Sequence, residues 1–354
     1  MESTPQTDRS ETRPPSLSII VPVLADPAQA EECIRAMEQA LLPQDEIILV
    51  VDGAGSDFIV PAATGHYTVL KQQNCCGPAA ARNLGASRAR GDVFVFIDAD
   101  VIAAPENLSK IRAIFSQHAA PAAVFGSYDE RPADPGFLSQ YRNLLHHFVH
   151  QRSERRANTF WSGFGAIQRG AFVAVGGFNE AYSKPSVEDI ELGMRLREHP
   201  FIIELHKDLQ AKHLKRWTFV GMLKTDLFAR AIPWTQLILR RGELEDDLNT
   251  TWKDRFSVAV SALMVLALVL SPLFALAGVL ALALFLTLSA LNGEFLLFLY
   301  RKNGVLFALG SLPIHALHFI CCAAGLMIGG VLHLTRWSNF HPPIGLPHSP
   351  TRSS

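Results

Sequence analysis

Apolar residues fall along this chain in three kinds of pattern. The first is a set of short, nearly wholly apolar runs: Leu17–Leu24 (LSIIVPVL), Glu46–Val51 (EIILVV), Val93–Ile97 (VFVFI) and Ala122–Tyr128 (AAVFGSY). Runs of this length without polar alternation predict strands buried on both faces. His66–Leu70 and Ile203–Leu205 read as smaller strands, and Asp208–Lys212 as a turn. The second pattern is helical spacing. Ala28–Ala40 brings Cys33, Ile34, Met37 and Leu41 to one face, and Ala104–His118 does the same with Leu108, Ile111, Ile114 and Phe115. Ala79–Ala89 is Ala-rich, with Pro78 at its start and Gly91 beyond its end. Phe137–His150 and Ile190–Arg197 complete the set. Strands alternating with helices predict a βαβ sheet whose ligands lie at the carboxyl ends of the strands. Pro22 sits uneasily inside the first run, because proline prefers strand edges and ends.

The third pattern is long and apolar. From Phe256 to Tyr300 the only Asp, Glu, Lys or Arg is Glu294, and Val305–Leu334 has none. The first run is long enough for two membrane passes with a turn near Pro272–Gly278, and the second for a third pass or for a re-entrant hairpin broken at Pro313. Before them, Thr218–Arg241 mixes Phe219, Leu223, Phe228, Ile232 and Trp234 with Lys224, Arg230, Arg240 and Arg241. That mixture predicts an interfacial amphipathic helix broken at Pro233, with Trp217 and Trp234 suited to the headgroup zone. The expected division is a disordered tail (1–15), an α/β domain (16–215), interface helices and an acidic hinge (216–255), about three transmembrane helices (256–335) and a polar tail (336–354).

Charge and cysteine content change this picture little. The net charge is −1, and no basic domain points to nucleic acid. Cys33, Cys75, Cys76, Cys321 and Cys322 lack the spacing of a zinc site or a disulfide framework, and residues 1–15 have no apolar signal segment. Reduced thiols and a cytoplasmic catalytic domain on the inner face of the cell membrane are therefore expected.

The candidate chemistry is acidic. Asp98 and Asp100 end the Val93–Ile97 run one residue apart, so they point the same way, and a divalent cation with its phosphates is one partner for such a pair. Solvent is the other. Asp52 ends the second run before Gly53, in the position of either a ligand-binding or a turn aspartate. Glu188 and Asp189 open a predicted helix, where Ser186 could cap it and the acids would suit its first turn. Phe137–His150, followed by Arg152, Arg155 and Arg156, is either a helix packed on the sheet or one at the membrane surface.

Order and spacing over Gly77–Val101 tie these pieces together. Ala81, Arg82, Asn83, Gly85, Gly91, Asp92, Asp98 and Asp100 resemble the nucleotide-sugar half of family-2 glycosyltransferases, where an Ala-Arg-Asn-x-Gly helix leads through Gly-Asp into a strand ending in Asp-x-Asp. Gly176-Gly177-Phe178-Asn179-Glu180 is similar to the acceptor-side turn of that family, and the interval from Asp100 to Asp189 fits its acidic pair. The resemblance implies a GT-A-like mixed sheet that binds a nucleotide-sugar, with a UDP-sugar the expected donor, and inverts the transferred sugar. It implies Asp189 as general base with Glu188 its neighbour, Asp52 against the base of the nucleotide, and Arg82 and Lys71 at the nucleotide-sugar. Asp100 with Mn²⁺ or Mg²⁺, Asp98 at the ribose or the metal, and His213 completing the metal shell follow in the same way. His213-Leu214-Lys215-Arg216-Trp217 stands where processive synthases carry Gln-x-x-Arg-Trp, so Arg216 and Trp217 are expected near phosphate and acceptor. The implied acceptor is a lipid or lipid-linked glycan. Two alternatives are a processive polysaccharide synthase and a non-catalytic membrane sensor with a degenerate fold.

Overall fold

A computed structural model describes residues 13–24, 27–53, 67–242, 248 and 250–335. Most of the N-terminal tail, the loop with Ser56 and Asp57, His66, most of the acidic hinge and the polar tail lie outside the described residues.

The four expected buried runs are strands β1 (Leu17–Val23), β2 (Glu46–Asp52), β4 (Val93–Ile97) and β6 (Ala123–Tyr128), and β3 (Tyr67–Gln72) lies at the edge. Four more strands complete the sheet, β5 (Val101–Ala103), β7 (Arg156–Ala157), β8 (Phe164–Gln168) and β9 (Ile203–His213), with the short helix α5 (Arg169–Ala174) after β8. The sheet runs β3-β2-β1-β4-β8-β6-β9-β5, with β7 on β9. The first four strands are parallel, and β8 turns the sheet by pairing antiparallel to β4 and to β6. Helices α1 (Pro27–Glu38) and α3 (Glu106–Phe115) cover one face; α2 (Pro78–Arg88) and α6 (Glu188–Glu198) cover the other. With both faces covered, β2 and β4 are buried along their whole length, as their unbroken apolar sequences require.

Pro22 is accommodated because the β1–β4 ladder ends at Ile20↔Phe96, so Pro22 lies past the point where β4 needs a donor. The Asp208–Lys212 turn does not form. Those residues belong to β9, an 11-residue strand that pairs with β6, β7 and β5. Cross-strand pairing on both sides, with a register shift between Phe125 and Ser127, outweighs the turn preference of a lone aspartate.

Helix α4 (Phe137–Arg152) packs between the sheet and the C-terminal helices, with His147 and His150 buried, so it is a layer of the fold and not a surface arm. The expected break at Pro233 is absent. Helix α7 (Phe219–Lys224) continues through a π-helical turn (Thr225–Ala231) into α8 (Ile232–Arg241), whose first turn holds Pro233. Proline deprives the carbonyl four residues back of its partner. Here that carbonyl, Ala229, accepts a bond from Ser186 Oγ at 3.1 Å.

Beyond the hinge come α9 (Trp252–Leu270), α10 (Ala275–Leu291) and α11 (Gly293–Leu334). The turn between α9 and α10 falls where the sequence predicts one. Helix α11 runs through Pro313 and breaks instead at Gly304, where φ is +84°. Its first segment packs on the α/β domain, with Phe295 and Leu299 buried against Tyr141 and Leu144 of α4. Among the described residues one helix, Gly293–Leu334, is long and apolar enough to cross a membrane. It meets the π turn and α8 closely, since a Cβ on Gly325 would lie 2.2 Å from Ala231 Cβ.

Candidate active site

The parallel strands deliver their carboxyl ends to one cavity of about 1810 Å³. Asp52 ends β2 inside it, buried, accepting the backbone N–H groups of Cys76 and Gly77 at 2.8 Å each. The aspartate thus shapes the loop that leads into α2 while facing the nucleotide end of the cavity. Asp98 and Asp100 lie between β4 and β5. Val101 of β5 pairs with His213 of β9, and Leu214 N–H binds the Asp100 carbonyl at 2.8 Å. That register carries His213 Nε2 to 3.6 Å from Asp100 Oδ2, while its ring stacks on Tyr128 at 4.2 Å. Burial weighs against the charged form of Asp100, but His213 and Lys215 outweigh it and hold the carboxyl below its usual range. Asp98 goes the other way: burial pushes it up, with Arg82 opposing and Asp100 reinforcing.

Arg82 is the hub of the site. Its buried guanidinium donates to Asp98 Oδ1 at 2.7 Å and to Glu188 Oε1 at 3.0 Å, and lies over the Phe178 ring. The neighbouring Asn83 clamps Phe178 through its N–H and C=O at 2.9 and 2.8 Å, and reaches Glu180 at 2.9 Å. Helix α2 can do this because it lies hard on β1: a Cβ on Gly85 would stand 2.5 Å from Ile20 Cγ2. The Ala-Arg-Asn-x-Gly signature therefore ties the strand-end aspartates to the acceptor-side turn and the Glu188-Asp189 pair, 95 to 106 residues further on. Arg82 thus bridges two carboxylates, and it also lines the cavity where the nucleotide-sugar contact is expected of it.

Asp189 opens α6 and faces the cavity, accepting from Ser162 N at 3.2 Å and Ser162 Oγ at 3.4 Å. Burial and the adjacent Glu188 push its carboxyl up to about 6, with Arg82, the Ser162 N–H and Arg230 opposing. Glu188 is fully enclosed and accepts from Ser186 N at 2.8 Å. Trp217 lines the cavity, flanked by Arg142 and Lys215 at 5.3 and 4.4 Å from its ring. Lys71 and Arg216 do not line it. Lys71 is exposed on edge strand β3, and Arg216 is exposed beyond the turn that puts Lys215 inside.

The sequence reading missed several lining residues. Tyr128 ends β6 as Asp52 ends β2, and a strand-end polar residue was the available signal. Trp161, in the Phe-Trp-Ser-Gly-Phe-Gly segment, packs edge-on to Tyr128 at 4.9 Å and against His146 at 4.6 Å. Asp226 and Arg230 of the π turn also line the cavity, and nothing in their spacing announces it. The far wall is apolar and comes from α8 and α11, with Trp234, Ile238, Phe295, Phe319 and Leu326.

For a metal, the donor set fits in part. Asp100 and His213 form an oxygen–nitrogen pair close enough to share one ion whose remaining ligands come from a diphosphate and water. Asp98 is engaged by Arg82, and among the described residues no group of three His, Cys, Asp or Glu side chains forms a ready-made cage.

Residues 18–176 match the sequence profile described as glycosyl transferase family 2. The match covers most of the α/β domain and supports placing it in that family. A glycosyltransferase of Haemophilus influenzae with no assigned activity is 26% identical over 196 residues, 52% of this chain and 63% of its own length. The validoxylamine A glucosyltransferase of Streptomyces hygroscopicus subsp. limoneus is 24% identical over 266 residues, 62% of this chain and 57% of its own. The chain thus spans about six-tenths of the relatives it matches. Among solved structures, a mannosyltransferase from Pyrobaculum calidifontis in complex with GDP-Man and Mn²⁺ superposes with a TM-score of 0.52 at 16% identity, over 91% of this chain and 88% of that one. The likeness is one of fold, and the fold is the GT-A-like mixed sheet of glycosyltransferases.

Proposed function

We propose that this family-2 glycosyltransferase moves a sugar, with inversion, from a nucleotide-sugar to a lipid or lipid-linked acceptor at a membrane. The observation that carries the reading is Asp189: a carboxylate held by Ser162 at the middle of one cavity, with the Asp98–Asp100 end on one side and an apolar wall on the other. A carboxyl raised to about 6 is ionised at neutral pH yet still basic enough to take a proton from an attacking hydroxyl. Asp52 orients the nucleotide at the end of β2. Mn²⁺ or Mg²⁺, held by Asp100 and His213, would neutralise the charge of the departing diphosphate. Lys215, beside Asp100, adds positive charge at the same place. Arg82 holds Asp98 and Glu188 in register, and Glu188 keeps Asp189 basic by like-charge repulsion. Attack from the Asp189 side, opposite the diphosphate, inverts the anomeric centre.

The apolar wall of α8 and α11 supports the membrane-side acceptor, and the length of Gly293–Leu334 supports an anchored enzyme. The test is donor hydrolysis by the detergent-purified full chain across a panel of UDP-, GDP- and other nucleotide-sugars, with Mn²⁺, Mg²⁺ or EDTA. Metal-dependent release of nucleoside diphosphate from one donor, stimulated by lipid extract, is the expected result. Stimulation by a soluble sugar acceptor and not by lipid would overturn the acceptor assignment.

A further inference from the structure

Residues 160–165 (FWSGFG) lead into β8 and pass between the two halves of the cavity. Antiparallel pairing sets them there. Phe164 lies opposite Ile97, so the residues just outside that pair also meet, and Asp98 N–H binds the Gly163 carbonyl at 3.1 Å. One residue earlier, the N–H and hydroxyl of Ser162 hold Asp189. Before it comes Trp161, half-buried in the cavity lining. Its indole folds forward over Gly163: a Cβ there would lie 2.6 Å from Cε2 and Cζ2 of the ring. Any side chain at 163 would push the indole off this seat. Tyr128 meets the indole edge-on at 4.9 Å, and His146 and His150 of α4 approach it at 4.6 and 5.5 Å. The Tyr128 ring in turn stacks on His213, the residue beside Asp100. One ring is thus tied by its own backbone to Asp189 and Asp98, and by Tyr128 to the diphosphate end.

The packing leaves two parts of this ring unused. Some of its surface is open to the cavity, and its Nε1–H has no hydrogen-bond partner among the described residues. A tryptophan brings an apolar body and one polar handle, and a ligand that suits both has an apolar face and a hydroxylated edge. A pyranose is such a ligand: its axial C–H bonds make a face apolar, and its hydroxyls project around the rim. The transferred sugar must lie between the departing diphosphate and the base that activates the acceptor, which is the interval Trp161 spans.

We propose that Trp161 is the platform on which the transferred sugar stacks, and that it sets which sugar the enzyme accepts. The inference rests on the reading of the cavity as a nucleotide-sugar site. A hydroxyl turned from the rim toward the stacked face lifts the sugar off the indole, so sugars that differ in one axial hydroxyl bind unequally. The nucleotide is held elsewhere, at Asp52, so the ring acts on the sugar and not on the nucleotide.

The test is calorimetry on the full-length protein in detergent with Mn²⁺, using UDP, GDP, UDP-glucose, UDP-galactose and GDP-mannose as probes. The quantity read is the affinity for each nucleotide-sugar divided by the affinity for its own nucleoside diphosphate. In Trp161→Ala that ratio is expected to fall roughly three- to tenfold for the sugar the wild type binds best, with affinity for the free diphosphate unchanged and the preference among the three sugars narrowed. Gly163→Ala, which unseats the ring without removing it, should lower the ratio in the same way. An unchanged ratio in Trp161→Ala overturns the proposal. Equal losses for the free diphosphate and its sugar conjugate overturn it too, because a merely structural ring would give that result. If Trp161→Ala does not yield folded protein, Trp161→Phe takes its place: a smaller fall in the ratio is expected, and no fall overturns it. A wild-type chain that binds none of the probes overturns the nucleotide-sugar reading and the platform with it, whereas wild-type binding with an unchanged ratio in the variant overturns the platform alone.

Discussion

The two ends of the cleft are built by different means. At the donor end, every functional side chain sits at the end of a strand or one residue beyond it. Asp52 ends β2, Asp98 follows β4, Asp100 precedes β5 and His213 closes β9, so backbone pairing brings them together. At the acceptor end, Asp189, Trp161, Tyr128 and Asp226 come from four separate segments, and side-chain contacts hold them. A site made by a sheet is tolerant, because each residue is placed by many backbone bonds. One made by buried ion pairs is exacting, because removing one partner strands the other.

Substitutions that act on one end only are the sharpest way to break this contrast. The largest effect is expected from Asp189→Asn: kcat/KM falls by about 10²- to 10⁴-fold, while nucleotide-sugar affinity measured by calorimetry is unchanged. Asp100→Asn should do the opposite first, abolishing the gain in donor affinity that Mn²⁺ gives. If both variants lost donor binding alike, the two ends would not be separable. Arg82→Gln spans them. It leaves the buried Glu188 and Asp98 without their shared cation, and a cost of about 3–5 kcal/mol is expected, seen as a large fall in Tm together with loss of both functions. Arg82→Lys should recover little, since a single ammonium does not span two carboxylates as the guanidinium fork does. Gly85→Ala comes next: the added methyl forces α2 off Ile20, at roughly 1–3 kcal/mol. In pH dependence, kcat/KM should fall as pH drops through about 6, because the base takes up its proton there. Lys71→Ala, outside the cavity, should change donor affinity by no more than the error of the measurement.

The same contrast decides what could be read beforehand. The donor end was legible because its residues are local. An apolar run names the strand, its end names the aspartate, and the Ala-Arg-Asn-x-Gly helix follows in fixed register. Even so, the bridge from Arg82 to Glu188 was not legible, because the two lie 106 residues apart and only the fold joins them. Glu188 and Asp189 were found by resemblance and interval, not by any local signal stronger than a helix cap. Arg230 was invisible as a site residue. It looked like one more cation on an amphipathic helix, and Pro233 looked like a break; a serine 47 residues before the proline supplies the missing hydrogen bond and turns the break into a π turn. Asp208 was read as a turn because β9 gains its strand character from neighbours on both sides, not from its own composition.

The position of β9 also sets an order of events during synthesis. The loop bearing Asp98 and Asp100 is closed by β5, and β5 has its ladder only with β9. Strands β1 to β4 can assemble on one another as soon as residue 97 leaves the ribosome. The aspartates beyond them must wait for more than a hundred further residues before Val101 meets His213. A nascent chain therefore acquires its parallel half early and its diphosphate end late, after the turn with Asn83's partner and the helix with Asp189 have already been made. A nascent chain that stops short of β9 does not yet hold Asp100 beside His213, and the apolar wall from α8 and α11 follows later still.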